Sequence, residues 1–330
     1  MIATGGTIAS MESGDGLAPS MSGTELAARV PDIQGKCDLT VLQLMNIDST
    51  NMRPRHWIMI RDAIMQHYQK YDGFVVLHGT DTMAYTAAAL SYLIQNSAKP
   101  IVLTGSQKPM GNPYTDAKLN LYQSILYAMD EDSCNVSIVF NGKVVAGTRA
   151  RKQRTRSFDA FESMNFPLLA VLHDDRILRY YKEEKPKPED LETYRRLNDR
   201  VFVLKLSPAV KADIFELLKE EYDAIILETF GIGGIPEDEE KSFEKAIFGW
   251  VDAGKTIAVT TQVPEEGVDL GIYQVGKKYS EHPGIMQAGD MTTESIAAKM
   301  MWILGHTSDR EEISRLFHLP VNHDRQDIWP

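Results

Sequence analysis

The segment 73–83 constrains the fold of this chain more than any other part of its sequence. It reads Gly-Phe-Val-Val-Leu-His-Gly-Thr-Asp-Thr-Met, and a helical pattern follows over 84–95. The apolar run 74–77 is typical of a buried parallel strand, and Gly79 permits a sharp turn after it. These features predict a strand, a tight turn and a helix, which together form the repeating unit of α/β proteins.

Polar residues follow this turn. Asp81 or Thr82 can cap the helix, and Thr80 and Asp81 should stand at the carboxyl end of the strand. Open α/β sheets bind ligands at this edge, because the loops there diverge and the helix N-termini present unpaired N–H groups. We therefore expect the functional site at this edge of the sheet.

Strands and helices alternate over most of the chain. The predicted strands cover 39–44, 74–77, 101–104, 136–140, 201–206, 224–227 and 256–260. The predicted helices cover 54–71, 84–95, 116–129, 211–221 and 239–253. Thr292 or Thr293 should cap a further helix ending at Leu304, and a Ser308-x-x-Glu311 capping box should open the last one. Alternation of this kind predicts an α/β fold with mostly parallel sheets flanked by helices.

The pattern breaks between 181 and 200, where charged residues dominate and almost nothing is apolar. We interpret 183–199 as an interdomain linker. A chain of 330 residues is also too long for one ordinary hydrophobic core. The sequence therefore predicts two α/β domains, a larger N-terminal catalytic domain at 1–182 and a smaller C-terminal domain at 200–330.

Charge and composition exclude several classes of partner. A formal net charge of -11 argues against nucleic acid or an anionic membrane as the main partner. With 43% hydrophobic and 25% charged residues, the chain fits the soluble globular class and has no apolar run near the ~18 residues of a membrane span. Its two cysteines, Cys37 and Cys134, lack any paired spacing, so we expect a reducing, cytoplasmic location.

A second glycine turn resembles the first in form. Residues 4–10 read Thr-Gly-Gly-Thr-Ile-Ala-Ser and should follow a strand. Glycines there let the backbone approach a ligand closely, and Thr7 beyond them can project above the sheet edge. A single Gly-Gly turn is most often only structural, but two such turns that each present a threonine favour a site.

A threonine hydroxyl is a poor nucleophile at neutral pH and needs a base that a third group holds in place. Asp81 is adjacent to Thr80, so a buried lysine near both would complete a relay. The candidate is Lys152, within 147–159, where five cations fall in eight positions. We expect Lys152 to lie close to Asp81 and to be shielded from water, unlike the arginines around it. The alternative is that the whole cluster forms a solvated face.

With these motifs in hand, the chain resembles a bacterial type I asparaginase, the cytoplasmic branch of the asparaginase/glutaminase family. Residues 4–10 resemble the first signature of that family, and 73–83 resemble the second at every defining position. Further similarity brings the resemblance to nearly the whole chain. The segments that carry it are 45–52, 104–107, 147–161 and 260–262.

The resemblance implies hydrolysis of L-asparagine to L-aspartate and ammonia without a metal or organic cofactor. It also implies a homodimer or homotetramer in which a neighbouring subunit can supply part of each site. By position in the motifs, Thr7 resembles the nucleophile that forms a β-acyl ester with the substrate. The residues that resemble the activating group are Thr80, Asp81 and Lys152.

Substrate binding is implied for two further segments. Asp48, Ser49 and Thr50 match the loop that holds the α-amino and α-carboxylate groups of the substrate. Backbone N–H groups at the two glycine turns, Gly79 among them, are expected to form the oxyanion hole. A carboxylate can pair the substrate's ammonium group, while hydroxyls and N–H groups suit its carboxylate.

Each of these residues also has an ordinary structural interpretation. Thr80 and Asp81 can simply cap a helix, and 48–50 can form an Asx turn. His78 is expected to pack at the strand end rather than act as a base. At the level of function, the alternatives are an asparagine-binding sensor without catalysis and an amidotransferase subunit that releases ammonia; we expect that subunit to need an extra domain.

Two positions depart from the family pattern. Some members carry a tyrosine on the mobile loop after the nucleophile, whereas the aligned residue here is Leu17. The strand before Thr4 has only Met1, Ile2 and Ala3 available, fewer than the ~5 residues typical of strands. We therefore expect Met1 to be an internal or misassigned start, with a few more apolar residues upstream, after one or two lysines.

Overall fold

The chain divides into two units, Met1–Arg195 and Arg196–Pro330. The computed structural model describes residues 1–13, 16–19, 21–30, 33, 35–237, 239–272 and 274–326. The boundary between the units falls inside the predicted linker 183–199. Residues 183–195 of that segment belong to the first unit, in which Glu192–Thr193 pairs with Ile94–Gln95.

The first unit contains fourteen of the described strands and four of the described α-helices. The strands are β1 (Ile2–Gly5), β2 (Ser10–Ser13), β3 (Gly16–Pro19), β4 (Leu42–Ile47), β5 (Phe74–Leu77), β6 (Ile94–Gln95), β7 (Ile101–Thr104), β8 (Val136–Phe140), β9 (Lys143–Ala146), β10 (Ala150–Lys152), β11 (Phe161–Ser163), β12 (Ala170–His173), β13 (Arg176–Leu178) and β14 (Glu192–Thr193). The helices are α1 (Gly23–Ala28), α2 (Pro54–His67), α3 (Met83–Leu93) and α4 (Ala117–Met129).

Eight of these strands form one sheet, in the order β13-β12-β9-β8-β7-β5-β1-β4. The five strands from β8 to β4 run parallel, whereas β9, β12 and β13 are antiparallel additions at one edge. The chain passes from β1 to β4 on one side and then to β5 on the other. The strand order therefore reverses between β1 and β5, which is the topological switch point at which open α/β sheets bind ligands.

The strands beside the switch point are buried along their whole length. Every residue of β1, β5 and β7 is buried, as the continuous apolar run of β5 and the three apolar residues that open β7 predict. Ala3 pairs with Leu77, and Leu77 pairs with Thr104. The Thr4 hydroxyl adds a bond of 2.7 Å to the Leu77 carbonyl. This pairing fixes the relative height at which the loops after β1 and β5 leave the sheet.

The second unit is a smaller α/β domain. Its strands are β15 (Val201–Lys205), β16 (Ala224–Thr229), β17 (Thr256–Thr261) and β18 (Ile285–Gln287), which pair in that order and run parallel. Its helices are α5 (Ile214–Leu218), α6 (Ser242–Asp252), α7 (Gln274–Ser280), α8 (Thr293–Leu304) and α9 (Arg310–His318). The predicted fold class is confirmed: both units have mostly parallel sheets with helices, and the first is larger.

Most predicted elements are present, with changes at their ends. The predicted helix 211–221 contracts to α5, and the predicted strand 39–44 lies later, at β4. The last helix is capped by Asp309, whose carboxylate accepts from the Glu312 N–H at 2.8 Å, and not by Ser308 as predicted. Within the described residues, no helix has the length and apolarity that a membrane crossing needs; the longest, α2, has 14 residues.

Candidate active site

The two glycine turns meet at the switch point. Gly5 and Gly6 have φ of 107° and 85°, which other residues rarely adopt. A Cβ at Gly6 would lie 2.4 Å from the Gly79 nitrogen, so the two backbones are in direct contact. Thr7 and Thr80 each follow one of these glycines. The threonines of the two motifs therefore leave adjacent turns at the carboxyl edge of the sheet.

Lys152 joins the second turn through two short bonds. Its Nζ donates to the Thr80 hydroxyl at 2.7 Å and to Asp81 Oδ1 at 2.6 Å. Its side chain is 16% exposed, compared with 57% for Asp81. The ammonium group is thus paired with a carboxylate and bonded to a hydroxyl at once. This arrangement matches the expected proximity of Lys152 to Asp81.

A short hairpin brings Lys152 into this position. β10 pairs with β11, with Lys152 opposite Phe161. Acidic residues of the hairpin's loop and second strand bind two cations, since Lys143 lies 2.6 Å from Asp159 and 2.9 Å from Glu162. Arg154 also contacts Glu162, at 2.7 Å. These ion pairs connect the hairpin to β9, the strand that carries Lys143.

Not all of the neighbouring arginines face water, and in this respect the prediction is wrong. Arg149 is fully buried, and its guanidinium lies 5.5 Å from the centre of the Phe166 ring. Arg154 and Arg156 are exposed as predicted. The segment 147–159 therefore contains a packed arginine, the candidate relay lysine and a solvated loop. The pattern of charges alone does not distinguish these environments.

The segment 48–50 lies against the second glycine turn. Asp48 Oδ1 accepts from the backbone N–H and the hydroxyl of Thr50, both at 2.8 Å, which is an Asx turn. Ser49 is buried, and a Cβ at Gly79 would lie 2.5 Å from its Oγ. The hydroxyl of Thr82 donates to the Ser49 carbonyl at 2.8 Å. The ordinary Asx turn is thus formed, and it lies beside the site.

Neither expected cap of α3 forms in the way that the sequence suggests. Thr82 occupies the N-cap position but makes no side-chain cap bond, and Asp81 pairs with Lys152 instead. Thr7 begins a single 3-10 turn and is half-buried. Among the described residues, its hydroxyl has no hydrogen-bond partner. Within the described residues, the Thr7 hydroxyl thus has no partner, while the Thr80 hydroxyl, on the adjacent turn, accepts from the Lys152 ammonium group.

His78 is a packed residue under this edge. It is fully buried, with Nδ1 2.7 Å from the Gly79 carbonyl oxygen and Nε2 2.9 Å from the Thr86 hydroxyl. Burial lowers the pKa of His78 from 6.5 to about 4. The ring is therefore neutral at physiological pH, in agreement with the expectation that it packs at the strand end.

This buried ring should make the fold sensitive to acid. The unfolded chain binds a proton at His78 below pH 6.5, whereas the folded protein resists protonation until about pH 4. The stability that comes from keeping His78 neutral is therefore fully present above pH 6.5 and is lost as the pH falls from 6.5 to about 4. Over this pH range, we expect the free energy of unfolding of the wild type to fall by about 3 kcal/mol more than that of His78→Gln, measured by urea denaturation. Equal acid sensitivity of the two proteins would contradict this assignment.

Gln107 and Asp116 belong to the same cluster, although neither was expected to have a role in the site. The Thr80 hydroxyl donates to Gln107 Oε1 at 3.3 Å, and the buried Asp116 holds the loop that carries Gln107. Their position after β7 was a usable signal, because polar residues at the carboxyl end of a neighbouring strand share the same edge.

Metal-ligand clusters of three or more His, Cys, Asp or Glu side chains do not occur in the described part of the chain.

Leu17, which the resemblance aligns with a loop tyrosine of some family members, lies on β3. This strand pairs with β2 in a hairpin that starts three residues after Thr7, and Leu17 is opposite Glu12. The segment after the candidate nucleophile is therefore a two-stranded extension, not an unstructured loop, over the residues that the structure describes.

Comparisons with known proteins converge on one family. The N-terminal asparaginase domain matches residues 1–185, and the glutaminase/asparaginase C-terminal domain matches residues 200–317. An L-asparaginase of Thermococcus kodakarensis is 35% identical over 318 residues, covering 96% of this chain and 95% of that protein. A glutamyl-tRNA(Gln) amidotransferase subunit of Pyrococcus abyssi is 34% identical over 330 residues, covering 96% of this chain and 74% of that protein.

Solved structures agree over nearly the full length. The thermostable L-asparaginase from Thermococcus kodakarensis has a TM-score of 0.92 at 33% identity, covering 98% of both chains. L-asparaginase I from Vibrio cholerae has a TM-score of 0.86 at 29% identity, again covering 98% of both. A probable cytoplasmic L-asparaginase from Campylobacter jejuni has a TM-score of 0.82 at 25% identity, covering 96% of this chain and 97% of that one.

Proposed function

Because the chain belongs to the asparaginase/glutaminase family as a type I asparaginase enzyme, we propose that it hydrolyses L-asparagine to L-aspartate and ammonia through a β-acyl ester on Thr7. One observation carries the proposal. Lys152 Nζ lies 2.7 Å from the Thr80 hydroxyl and 2.6 Å from Asp81, on the turn that touches the turn of Thr7. A nucleophile candidate and a proton relay therefore share the switch point.

In the first half of the reaction, the Thr7 oxygen attacks the side-chain amide carbon of asparagine. The bond to nitrogen breaks, and the hydroxyl proton leaves with the nitrogen as ammonia. In the second half, water attacks the ester and releases aspartate, and one of its protons returns to the Thr7 oxygen. Thr80, Asp81 and Lys152 take up and return these protons as a unit, the role that a base and its orienting group have in serine hydrolases.

The neighbouring segments supply binding groups for the rest of the substrate. The Asp48 carboxylate pairs the α-ammonium group, and the N–H and hydroxyl of Thr50, both bonded to Asp48 Oδ1, hold that carboxylate in place. The Ser49 hydroxyl donates to the α-carboxylate. Backbone N–H groups of the glycine turns, including that of Gly79, stabilise the oxyanion of each tetrahedral intermediate. Each such donor contributes roughly 3 to 4 kcal/mol to the transition state.

Ammonia release by the purified chain tests this function. We expect turnover of L-asparagine without added transfer RNA or a partner protein, and slower turnover of glutamine. Ammonia release that appears only with transfer RNA and a second subunit would instead indicate the amidotransferase role that the Pyrococcus abyssi relative has by name. Binding of asparagine without ammonia release would indicate a sensor, an interpretation that the complete Lys152–Thr80–Asp81 cluster disfavours.

The substrate of this proposal is a small amino acid, and no nucleic acid or membrane partner is proposed. We further propose a homodimer or homotetramer in the cytoplasm. The location is supported by the free thiols of Cys37 and Cys134 and by the Campylobacter jejuni neighbour, which is named as a probable cytoplasmic enzyme. Sedimentation of the purified chain measures the assembly directly.

A further inference from the structure

The hydroxyl of Thr80 has two hydrogen-bond neighbours, and only one is part of the proposed relay. Lys152 Nζ donates to it at 2.7 Å, and the hydroxyl donates in turn to Gln107 Oε1 at 3.3 Å. A hydroxyl has one hydrogen and two lone pairs. With the hydrogen directed to Gln107 and one lone pair to Lys152, the second lone pair is left to accept a hydrogen bond from an attacking hydroxyl or water.

Gln107 can present only its oxygen to Thr80. Its Nε2 donates to the backbone carbonyls of Ser157 at 3.0 Å and Arg154 at 3.3 Å. Carbonyl oxygens accept and never donate, so the NH₂ end of the amide must face them. The opposite end, the acceptor oxygen, then has to face Thr80. Since 154 and 157 lie in the loop of the hairpin that carries Lys152, the same amide also joins that hairpin to the Thr80 turn.

The backbone of Gln107 is fixed as firmly as its side chain. Its N–H donates to the carboxylate of Asp116 at 2.9 Å and 3.1 Å, and the N–H of Lys108 donates to the same carboxylate at 3.0 Å. Asp116 is buried and also accepts from Asn120 Nδ2 at 3.0 Å. The amide of Gln107 is therefore held from both ends, and its oxygen has a defined position.

We propose that Gln107 is a positioning residue, which rests on the proposed hydrolysis of asparagine: its amide oxygen fixes the Thr80 hydroxyl with a lone pair directed at the substrate side. Without this acceptor, the hydroxyl hydrogen rotates freely and occupies the productive orientation for a smaller fraction of the time. The bonds to the hairpin loop orient the amide itself, and its effect on the rate passes through the Thr80 hydroxyl. Loss of Gln107 should therefore lower kcat and leave the KM for asparagine largely unchanged.

A double-mutant cycle tests this inference. Gln107→Met keeps the length of the side chain and removes both amide functions. We expect its kcat to fall about tenfold, the equivalent of about 1.4 kcal/mol, with KM within about twofold of wild type. In a Thr80→Ala background, measured at high enzyme concentration, the same substitution should change kcat less than about twofold, because no hydroxyl is left to orient.

Gln123→Met is the matched control, since Gln123 is a buried glutamine of the same unit whose amide donates to the Leu172 carbonyl. It should leave kcat unchanged, and its melting temperature shows that it folds. If Gln107→Met does not fold, Gln107→Asn serves instead, because the shorter side chain withdraws the oxygen and keeps the amide.

Several results would overturn the role of Gln107. They are multiplicative losses in the cycle, a kcat loss shared by Gln123→Met, or a Gln107 variant with unchanged kcat. Absence of asparagine turnover in the wild type would instead overturn the proposed function, so the two failures are distinguishable.

Discussion

Thr7→Ala is expected to lower kcat for asparagine at least about a thousandfold while the protein stays folded. The reason is that alanine removes the hydroxyl oxygen that forms the ester, whereas the hydroxyls of Thr4 and Ser10 at the same turn are buried and donate to backbone carbonyls. Steady-state ammonia release, together with circular dichroism and the melting temperature, measures both parts of the prediction.

Thr7→Ser is the matched control because it keeps the hydroxyl and loses only a methyl group. It should retain far more activity than Thr7→Ala. If Thr7→Ala kept more than about a tenth of the wild-type rate, a loss under roughly 1.4 kcal/mol, the nucleophile assignment would fail.

Lys152→Met is expected to lower kcat by about a thousandfold as well. It removes the ammonium group that donates to both the Thr80 hydroxyl and the Asp81 carboxylate. The Thr80 hydroxyl is then no longer connected to Asp81. Because these residues act as a unit, the double variant Lys152→Met/Thr80→Ala should be about as slow as the slower single variant. Losses that multiply would show that the two residues act independently.

Lys255→Met controls for the loss of a shielded, paired lysine. Lys255 lies in the second unit, is 18% exposed compared with 16% for Lys152, and pairs with Asp223. We expect this variant to be less stable and to retain the wild-type kcat. A similar loss of kcat in both lysine variants would mean that the effect of Lys152→Met reports on folding.

The strands beside the site were predictable because sequence and burial agree there. β5, β7 and β8 have the predicted bounds, since each is a buried apolar run closed by glycine, proline or polar residues. The antiparallel edge was missed for the opposite reason. A strand such as β13 has only three residues, two of them exposed, so neither its length nor its hydrophobicity distinguishes it from a loop.

The site itself was only partly predictable. The strand-turn-helix pattern placed Thr80 and Asp81 at the sheet edge. Lys152 follows 71 residues after Asp81, and only the cation cluster and the family resemblance pointed to it. Gln107 shows the limit of that resemblance. Its segment 104–107 was recognised as similar to the family, but its role depends on bonds to Thr80 and to the hairpin loop, which no local pattern encodes.

The acyl ester on Thr7 is the central claim, and rapid acid quenching followed by mass spectrometry tests it most directly. During the first turnover with L-asparagine, we expect a fraction of the protein to gain the mass of one aspartyl group, and peptide mapping should place it on Thr7. The same adduct should be absent from Thr7→Ala. An adduct on Thr80 instead, or turnover with no adduct at any quench time, would contradict the account.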